Sequence, residues 1–220
     1  MENKRVTLFA GHYGSGKTNI AVNYALWLKE KNENVVITDL DIVNPYFRTC
    51  DSAEELAKAG IKLISSEFAN SNVDLPALPQ EVYSVLDDRS SLAILDIGGD
   101  DRGAYALGRY ETAIQQENDY EMLFVFNKFR PLTPDAQSAL EVMREIEVAG
   151  KIKFTAIVNN SNLGALTTKE DVLSSVESAD ELSLLSGLPI KMTTVNENLF
   201  NVLNGEIDNL FPLKLQKKIV

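Results

Sequence analysis

Gly11-His12-Tyr13-Gly14-Ser15-Gly16-Lys17-Thr18 has the spacing G-x-x-x-x-G-K-[ST], a pattern in which the backbone does as much chemistry as the side chains. Glycines let the chain wrap an anion closely with its N–H groups turned inward. A helix starting near Gly16 would aim its positive dipole end at the same anion. Lys17 is then placed to reach the β- and γ-phosphates of a nucleoside triphosphate, and Thr18 to offer its hydroxyl to the Mg²⁺ that bridges them. The candidate cradle comprises Gly11, His12, Tyr13, Gly14, Ser15, Gly16, Lys17, Thr18 and Asn19.

Two further places carry carboxylates at the ends of apolar runs. Val35-Val36-Ile37-Thr38 leads into Asp39-Leu40-Asp41, and Leu92-Ala93-Ile94-Leu95 leads into Asp96-Ile97-Gly98-Gly99. A carboxylate at a strand tip can hold a metal-bound water, which assigns Asp96 to the metal together with Thr18. The paired glycines after Asp96 permit a backbone N–H to sense the γ-phosphate and the loop to move on hydrolysis. Asp39 is the candidate that positions or deprotonates an attacking water, making Asp39 and Lys17 the catalytic pair. A lone carboxylate in such a place also serves as a turn or helix cap. The joint placement of Asp39 and Asp96 favours the chemical reading, and Asp41 has less support.

The elements that must position these groups follow from hydrophobic periodicity. Val6–Ala10 is a short apolar run ending in glycine, and 19–31 carries apolar residues at helical spacing. Strands are expected at 35–38, 61–64, 92–96, 122–126, 153–158 and 189–193. Most are apolar throughout, as in a parallel sheet covered on both faces. Helices are expected over 133–148, entered through Thr133-Pro134-Asp135 and stopped at Gly150, and over 169–185. Alternating strands and helices with no linker or repeat predict one doubly wound α/β domain over 1–220, mainly parallel, with helices on both faces. Ligands in such folds sit at the carboxyl ends of the strands, where the chemical residues cluster.

Composition limits the function classes. A formal net charge of −11 argues against non-specific nucleic-acid binding. No apolar run approaches the roughly 20 residues needed to span a bilayer, and Met1-Glu2-Asn3-Lys4-Arg5 lacks a signal-peptide pattern, so a cytoplasmic protein is expected. Cys50 is the single cysteine and His12 the single histidine. An internal disulfide, an intrachain thiolate cluster and a histidine-based zinc site are thereby excluded.

The phosphate loop, Asp39-Leu40-Asp41 and Asp96-Ile97-Gly98-Gly99 together resemble the MinD/ParA/ArsA branch of P-loop ATPases, which includes nitrogenase iron protein and the CooC-type nickel-insertion ATPases. The resemblance implies ATP and Mg²⁺ as ligands. It also implies a nucleotide-sandwich homodimer closed by ATP, reopened by hydrolysis to ADP, that releases a client. It assigns Lys17, Thr18, Asp39 and Asp96 to phosphate, Mg²⁺, water and Mg²⁺-bound water, and Asn159 to the adenine. Two positions depart from the family. Its signature lysine early in the loop is replaced by His12, so that His12 itself, Arg48 or Arg102 would have to bridge subunits. Its Cys-x-x-Cys pair is absent, which argues against metal or cluster carriage.

Asn127-Lys128-Phe129-Arg130 is three-quarters of the guanine-reading Asn-Lys-x-Asp signature, with arginine where the aspartate would accept the guanine N–H groups. This favours ATP, and Arg130 reads as a surface charge. Asn44-Pro45-Tyr46-Phe47-Arg48 is either a switch meeting a second subunit or aromatics folded onto the core. Leu213–Val220 is faintly similar to the membrane-binding tails of MinD-like proteins but is read as an ordinary helix end, without a stable membrane anchor.

The leading expectation is an ATP-switched dimer that assists maturation or regulation of a partner protein. The alternative is an ATP-dependent ligase of the dethiobiotin-synthetase or cobyrinate-amidase type, relatives that also lack the signature lysine. A nucleotide sensor without hydrolysis is a third class.

Overall fold

The computed structural model describes residues 3–31, 33–41, 49–65, 81–99 and 101–216, with residues 101 and 102 described by their backbone alone. Segment 44–48, residues 217–220 and the side chain of Arg102, all singled out in the sequence, lie outside the described residues.

Strands are β1 (Val6–Ala10), β2 (Val35–Leu40), β3 (Lys62–Ser65), β4 (Leu92–Ile97), β5 (Tyr120–Phe126), β6 (Ala156–Asn159), β7 (Ile190–Asn196) and β8 (Leu210–Leu213). Helices are α1 (Lys17–Glu30), α2 (Ala53–Lys58), α3 (Glu81–Asp87), α4 (Asp101–Leu107), α5 (Glu111–Glu117), α6 (Ala136–Gly150), α7 (Lys169–Ser186) and α8 (Glu197–Leu203). The strands form one sheet in the order β3-β2-β4-β1-β5-β6-β7-β8, and every pairing is parallel. This is the expected α/β architecture.

Burial explains why the central strands read as continuous apolar runs. β1 and β2 are buried at every position. One core joins the sheet to α3, α5, α6 and α7 through Val82, Ile114, Met143 and Leu182, and a second joins it to α1 and α2 through Ile20, Tyr24, Leu28 and Leu56. A β-strand with two covered faces has no polar side to show. Edge strands behave differently: β8 alternates in burial along Leu210-Phe211-Pro212-Leu213, and its proline is tolerated because an edge needs fewer ladder donors.

Several boundaries shift for local reasons. The strand expected from 153 begins at Ala156, because the Phe154 N–H donates to the Glu147 carboxylate at 3.0 Å instead of to the ladder. α6 starts at Ala136 rather than at Thr133. Its cap is Asp135, whose carboxylate accepts from the Ser138 N–H, whereas the Thr133 hydroxyl closes the preceding turn onto the Asn127 carbonyl at 2.7 Å. α7 has a capping box between Thr168 and Asp171 and ends at Gly187, which is left-handed at φ 73°. The helix end expected from Leu213 is not found among the described residues. Leu213 closes β8, and 214–216 run on as coil.

In this strand order β1 sits between β4 and β5, and successive crossovers leave it in opposite directions. Loops after these three strands therefore open at one crevice, the place where doubly wound sheets hold ligands.

Candidate functional site

The loop between β1 and α1 is a backbone cradle that requires its glycines. A side chain at Gly11 would meet the Val125 carbonyl oxygen at 2.6 Å, and one at Gly16 would meet Asn160 Nδ2 at 2.3 Å. Gly14 and Gly16 are left-handed at φ 76° and 91°. Gly16 caps α1, and the first intrahelical bond runs from the Ile20 N–H to its carbonyl at 3.2 Å. The leading N–H groups of the helix thus face the crevice. Lys17 is buried and donates to the His12 carbonyl at 3.2 Å, folding its ammonium back over the loop.

A cavity of about 480 Å³ opens on this cradle, lined by Tyr13, Gly14, Gly16, Lys17, Thr18 and Asn19 on one side and by Asp41, Arg130, Asn160 and Asn162 on the other. Gly11 and Ser15 are buried and do not line it. His12 does not line it: with Tyr13, Gly99 and Leu132 it borders a separate depression of about 280 Å³.

β2 and β4 set Asp39 and Asp96 side by side as register partners. Asp39 is fully buried and accepts the Asp41 N–H at 3.0 Å, and it is Asp41, two residues on, that lines the cavity. Asp39, expected to position the water, does not itself line this cavity, and its Oδ2 has no hydrogen-bond partner among the described residues. It lies within the strand, and the chain must leave the sheet before a carboxylate can reach the crevice.

Asp96 is fully buried and accepts from the Thr49 hydroxyl at 2.9 Å, while its Oδ1 has no hydrogen-bond partner among the described residues. Burial pushes its carboxyl up to about 6. Lys17 and the Thr18 hydroxyl pull it down, Asp41 pushes it up, and Thr49 pulls it down. After β4, Gly98 and Gly103 touch backbone to backbone, and a side chain at Gly99 would lie 2.7 Å from both Lys17 Nζ and the Tyr13 N. The glycines after Asp96 are thus needed to lay this loop against the phosphate cradle.

The loops after β5 and β6 complete the site. Asn159, expected at the base, points away from the cavity: it donates to the Ser175 hydroxyl on α7 at 2.9 Å and accepts the Ser161 N–H at 3.2 Å. Asn160 takes the cavity position, donates to the Ser15 carbonyl at 2.6 Å and accepts from Thr194. Consecutive residues at a strand end face opposite sides, so a shift of one residue exchanges their roles. Arg130 is not a surface charge; it lines the cavity over Gly14. Leu215 and Gln216, expected in a helix end, instead line the cavity where the tail crosses α1. The Gln216 N–H donates to Asn19 Oδ1 at 3.1 Å, and Lys214 N to Asn23 Oδ1 at 2.8 Å. Those contacts span more than 190 residues of sequence and leave no local signal.

The parallel sheet, its helices on both faces and a glycine-rich loop at the central strand define the P-loop NTPase fold. No protein family matches the chain, and no curated protein matches it significantly. Among solved structures the chain is similar to the cell division protein FtsY of Thermotoga maritima, at 18% identity and a TM-score of 0.56 over 89% of this chain and 63% of that one. It is similar to the signal recognition particle receptor FtsY of Elizabethkingia anophelis in complex with GDP, at 17% identity and a TM-score of 0.50 over 90% and 58%. The signal recognition particle 54 kDa protein of Aeropyrum pernix in complex with GDP is matched at 14% identity and a TM-score of 0.51 over 87% and 41%. The chain thus spans about two fifths to three fifths of the length of these proteins. At such identities the likeness bears on the fold, and it does not single out the MinD/ParA/ArsA branch.

Proposed function

We propose that residues 1–220 form a single P-loop domain that binds and hydrolyses a nucleoside triphosphate, ATP by preference, with Mg²⁺. The observation that carries this reading is the convergence on one cavity of the glycine cradle, the Lys17 ammonium and the Thr18 hydroxyl, with the buried Asp96 carboxylate beside them. Mg²⁺ fits the residues present. No group of three or more His, Cys, Asp or Glu side chains is arranged as a metal cage among the described residues, and Mg²⁺ in such sites relies on one or two protein oxygens plus phosphates and water. Thr18 and Asp96 would hold it, Asp96 through the Oδ1 that has no hydrogen-bond partner among the described residues. When bound, Mg²⁺ supplies neutralisation of charge at the phosphate oxygens.

The chain's own groups divide the remaining work. N–H groups of the cradle and of the first turn of α1 bind the phosphates, and Lys17 swings from the His12 carbonyl to the terminal ones. Gly99 packs against the Lys17 ammonium and the Tyr13 backbone, and the role of sensing the terminal phosphate is assigned to its N–H. Asp41 is the carboxylate at the cavity wall able to orient a water, and Asp39 fixes it by accepting its N–H.

ATP is preferred because position 130 holds a donor instead of the carboxylate that would bind guanine N–H groups. The competing preference for guanine is supported by the GDP held by two of the matched proteins. The finer reading is an ATP-dependent homodimer that assists another protein, supported by the resemblance of the motifs and by Tyr13, half exposed at the cavity rim. An ATP-dependent ligase acting on a small carboxylic acid is the alternative.

The test is phosphate release from ATP and GTP with Mg²⁺ or with chelator, for the native chain, Lys17→Ala and Asp41→Asn, with solution mass measured alongside. Mg²⁺-dependent release lost in both variants is expected. Tight binding without release leaves a sensor, and release accelerated by one of a panel of small acids moves the assignment to the ligase. Absence of both nucleotide binding and release overturns the proposal.

A further inference from the structure

We infer that Arg130 is a phosphate-binding residue, contributing from within the same chain a second fixed positive charge to the polyphosphate of the bound nucleotide. The inference rests on the nucleotide reading of the cavity and adds a residue that the phosphate-loop motif does not contain.

The loop after β5 is built to hold this one side chain in place. Asn127 is buried and accepts the Phe129 N–H at 3.0 Å, its carbonyl accepts both the Arg130 N–H at 3.1 Å and the Thr133 hydroxyl at 2.7 Å, and the Thr133 N–H returns to the Arg130 carbonyl at 3.0 Å. Lys128 is anchored at both ends, its N–H on the Ser161 hydroxyl and its ammonium on the Ser174 carbonyl, each at 3.0 Å. The Asn-Lys pair singled out in the sequence is therefore spent on the turn itself. What the turn presents is Arg130.

Its side chain runs side-on over Gly14: Cδ, Nε and Cζ lie 3.7, 3.6 and 3.8 Å from where a β-carbon would stand. Nε is buried with no hydrogen-bond partner, and no carboxylate among the described residues forms an ion pair with Arg130. A buried N–H donor without an acceptor is costly, and a guanidinium has donors only, so the missing partner must be an acceptor. The cavity that it lines contains the phosphate cradle, and Lys17 and Arg130 are its cations among the described residues. Placement over Gly14, inside the phosphate loop, selects phosphate oxygens over the base. An arginine fork meets phosphate with two parallel N–H groups, which a lysine cannot reproduce.

The experiment is calorimetric titration of the native chain, Arg130→Gln, Arg130→Lys and Lys17→Ala with ATP and with inorganic tripolyphosphate, which has phosphates and no base. Loss of a charge-assisted contact predicts that Arg130→Gln weakens both ligands by roughly ten- to a hundredfold, with Arg130→Lys between it and the native chain. If Arg130→Gln is unfolded by circular dichroism, Arg130→Lys carries the test, and a native-like affinity for tripolyphosphate in it overturns the fork. Weakened ATP with unchanged tripolyphosphate moves Arg130 to the base and overturns the inference. Unchanged affinities in both Arg130 variants, with binding lost in Lys17→Ala, also overturn it and leave the nucleotide reading standing. A native chain that binds neither ligand removes the nucleotide reading and this inference with it.

Discussion

Asp96→Asn should make the ligand-free protein more stable at neutral pH and remove a pH dependence that the native chain shows. Burial raises the Asp96 carboxyl from 3.8 to about 6, which corresponds to about 3 kcal/mol of preference for the neutral form at about 1.4 kcal/mol per pH unit. The sign follows from proton counting. Between the two values the unfolded chain has already lost its proton and the folded chain still holds it, so stability falls as pH rises from about 4 to about 6 and stays reduced above that. Asparagine keeps an acceptor for the Thr49 hydroxyl and never ionises. Urea unfolding with chelator present, at about pH 5 and about pH 8, should show the native chain losing on the order of 1 kcal/mol relative to the variant. Contributions from other titrating groups cancel in that comparison. Adding Mg²⁺ and ATP should reverse the order at pH 8, because the charged carboxylate then gains a partner that asparagine cannot match. A native-minus-variant difference that does not change with pH would refute the argument that burial controls this carboxylate.

Gly99→Ala should abolish most hydrolysis while leaving a folded protein, because the added methyl meets Lys17 Nζ and the Tyr13 backbone at 2.7 Å. A destabilisation of about 1–3 kcal/mol is expected from such overpacking, and unimpaired turnover would show that the loop after β4 does not touch the working cradle. Arg5→Met should cost about 3–5 kcal/mol in urea unfolding. The buried guanidinium pairs with Glu117 and donates to the carbonyls of Val85 and Leu86 in α3; all three lose that donor, and Glu117 keeps, among the described residues, only its 3.4 Å contact with the exposed Arg89. Thr168→Ala removes the capping box of α7 and should cost about 1 kcal/mol, with nucleotide affinity unchanged.

Much of the site was legible because its chemistry demands fixed residue types over a short contiguous stretch. Wrapping a phosphate needs glycines at Gly11, Gly14 and Gly16, and Lys17 and Thr18 must follow at once at the head of a helix, so the requirement is written in adjacent letters. The parallel sheet was legible for a similar reason: β1, β2 and β5 are covered on both faces and so read as mostly apolar runs, interrupted only at Thr7, Thr38, Asp39 and Glu121. Other features depend on where neighbouring chains end. Whether Asn159 or Asn160 meets the cavity turns on one residue of strand parity, settled by the hydroxyl of Ser175 on α7 and the carbonyl of Ser15. Whether Asp39 or Asp41 lines the cavity depends on where β2 leaves the sheet beside β4. Arg130 looked like a solvated charge until the turn held by Asn127 carried it over Gly14, and the tail at Gln216 reached Asn19 only through a contact across most of the chain. The sequence by itself determined the glycine-rich loop at the head of α1 and the layered sheet, since both are local demands on residue type. Tertiary structure alone decided which neighbouring side chains share the cavity, because that depends on strand parity and on packing between segments far apart in sequence.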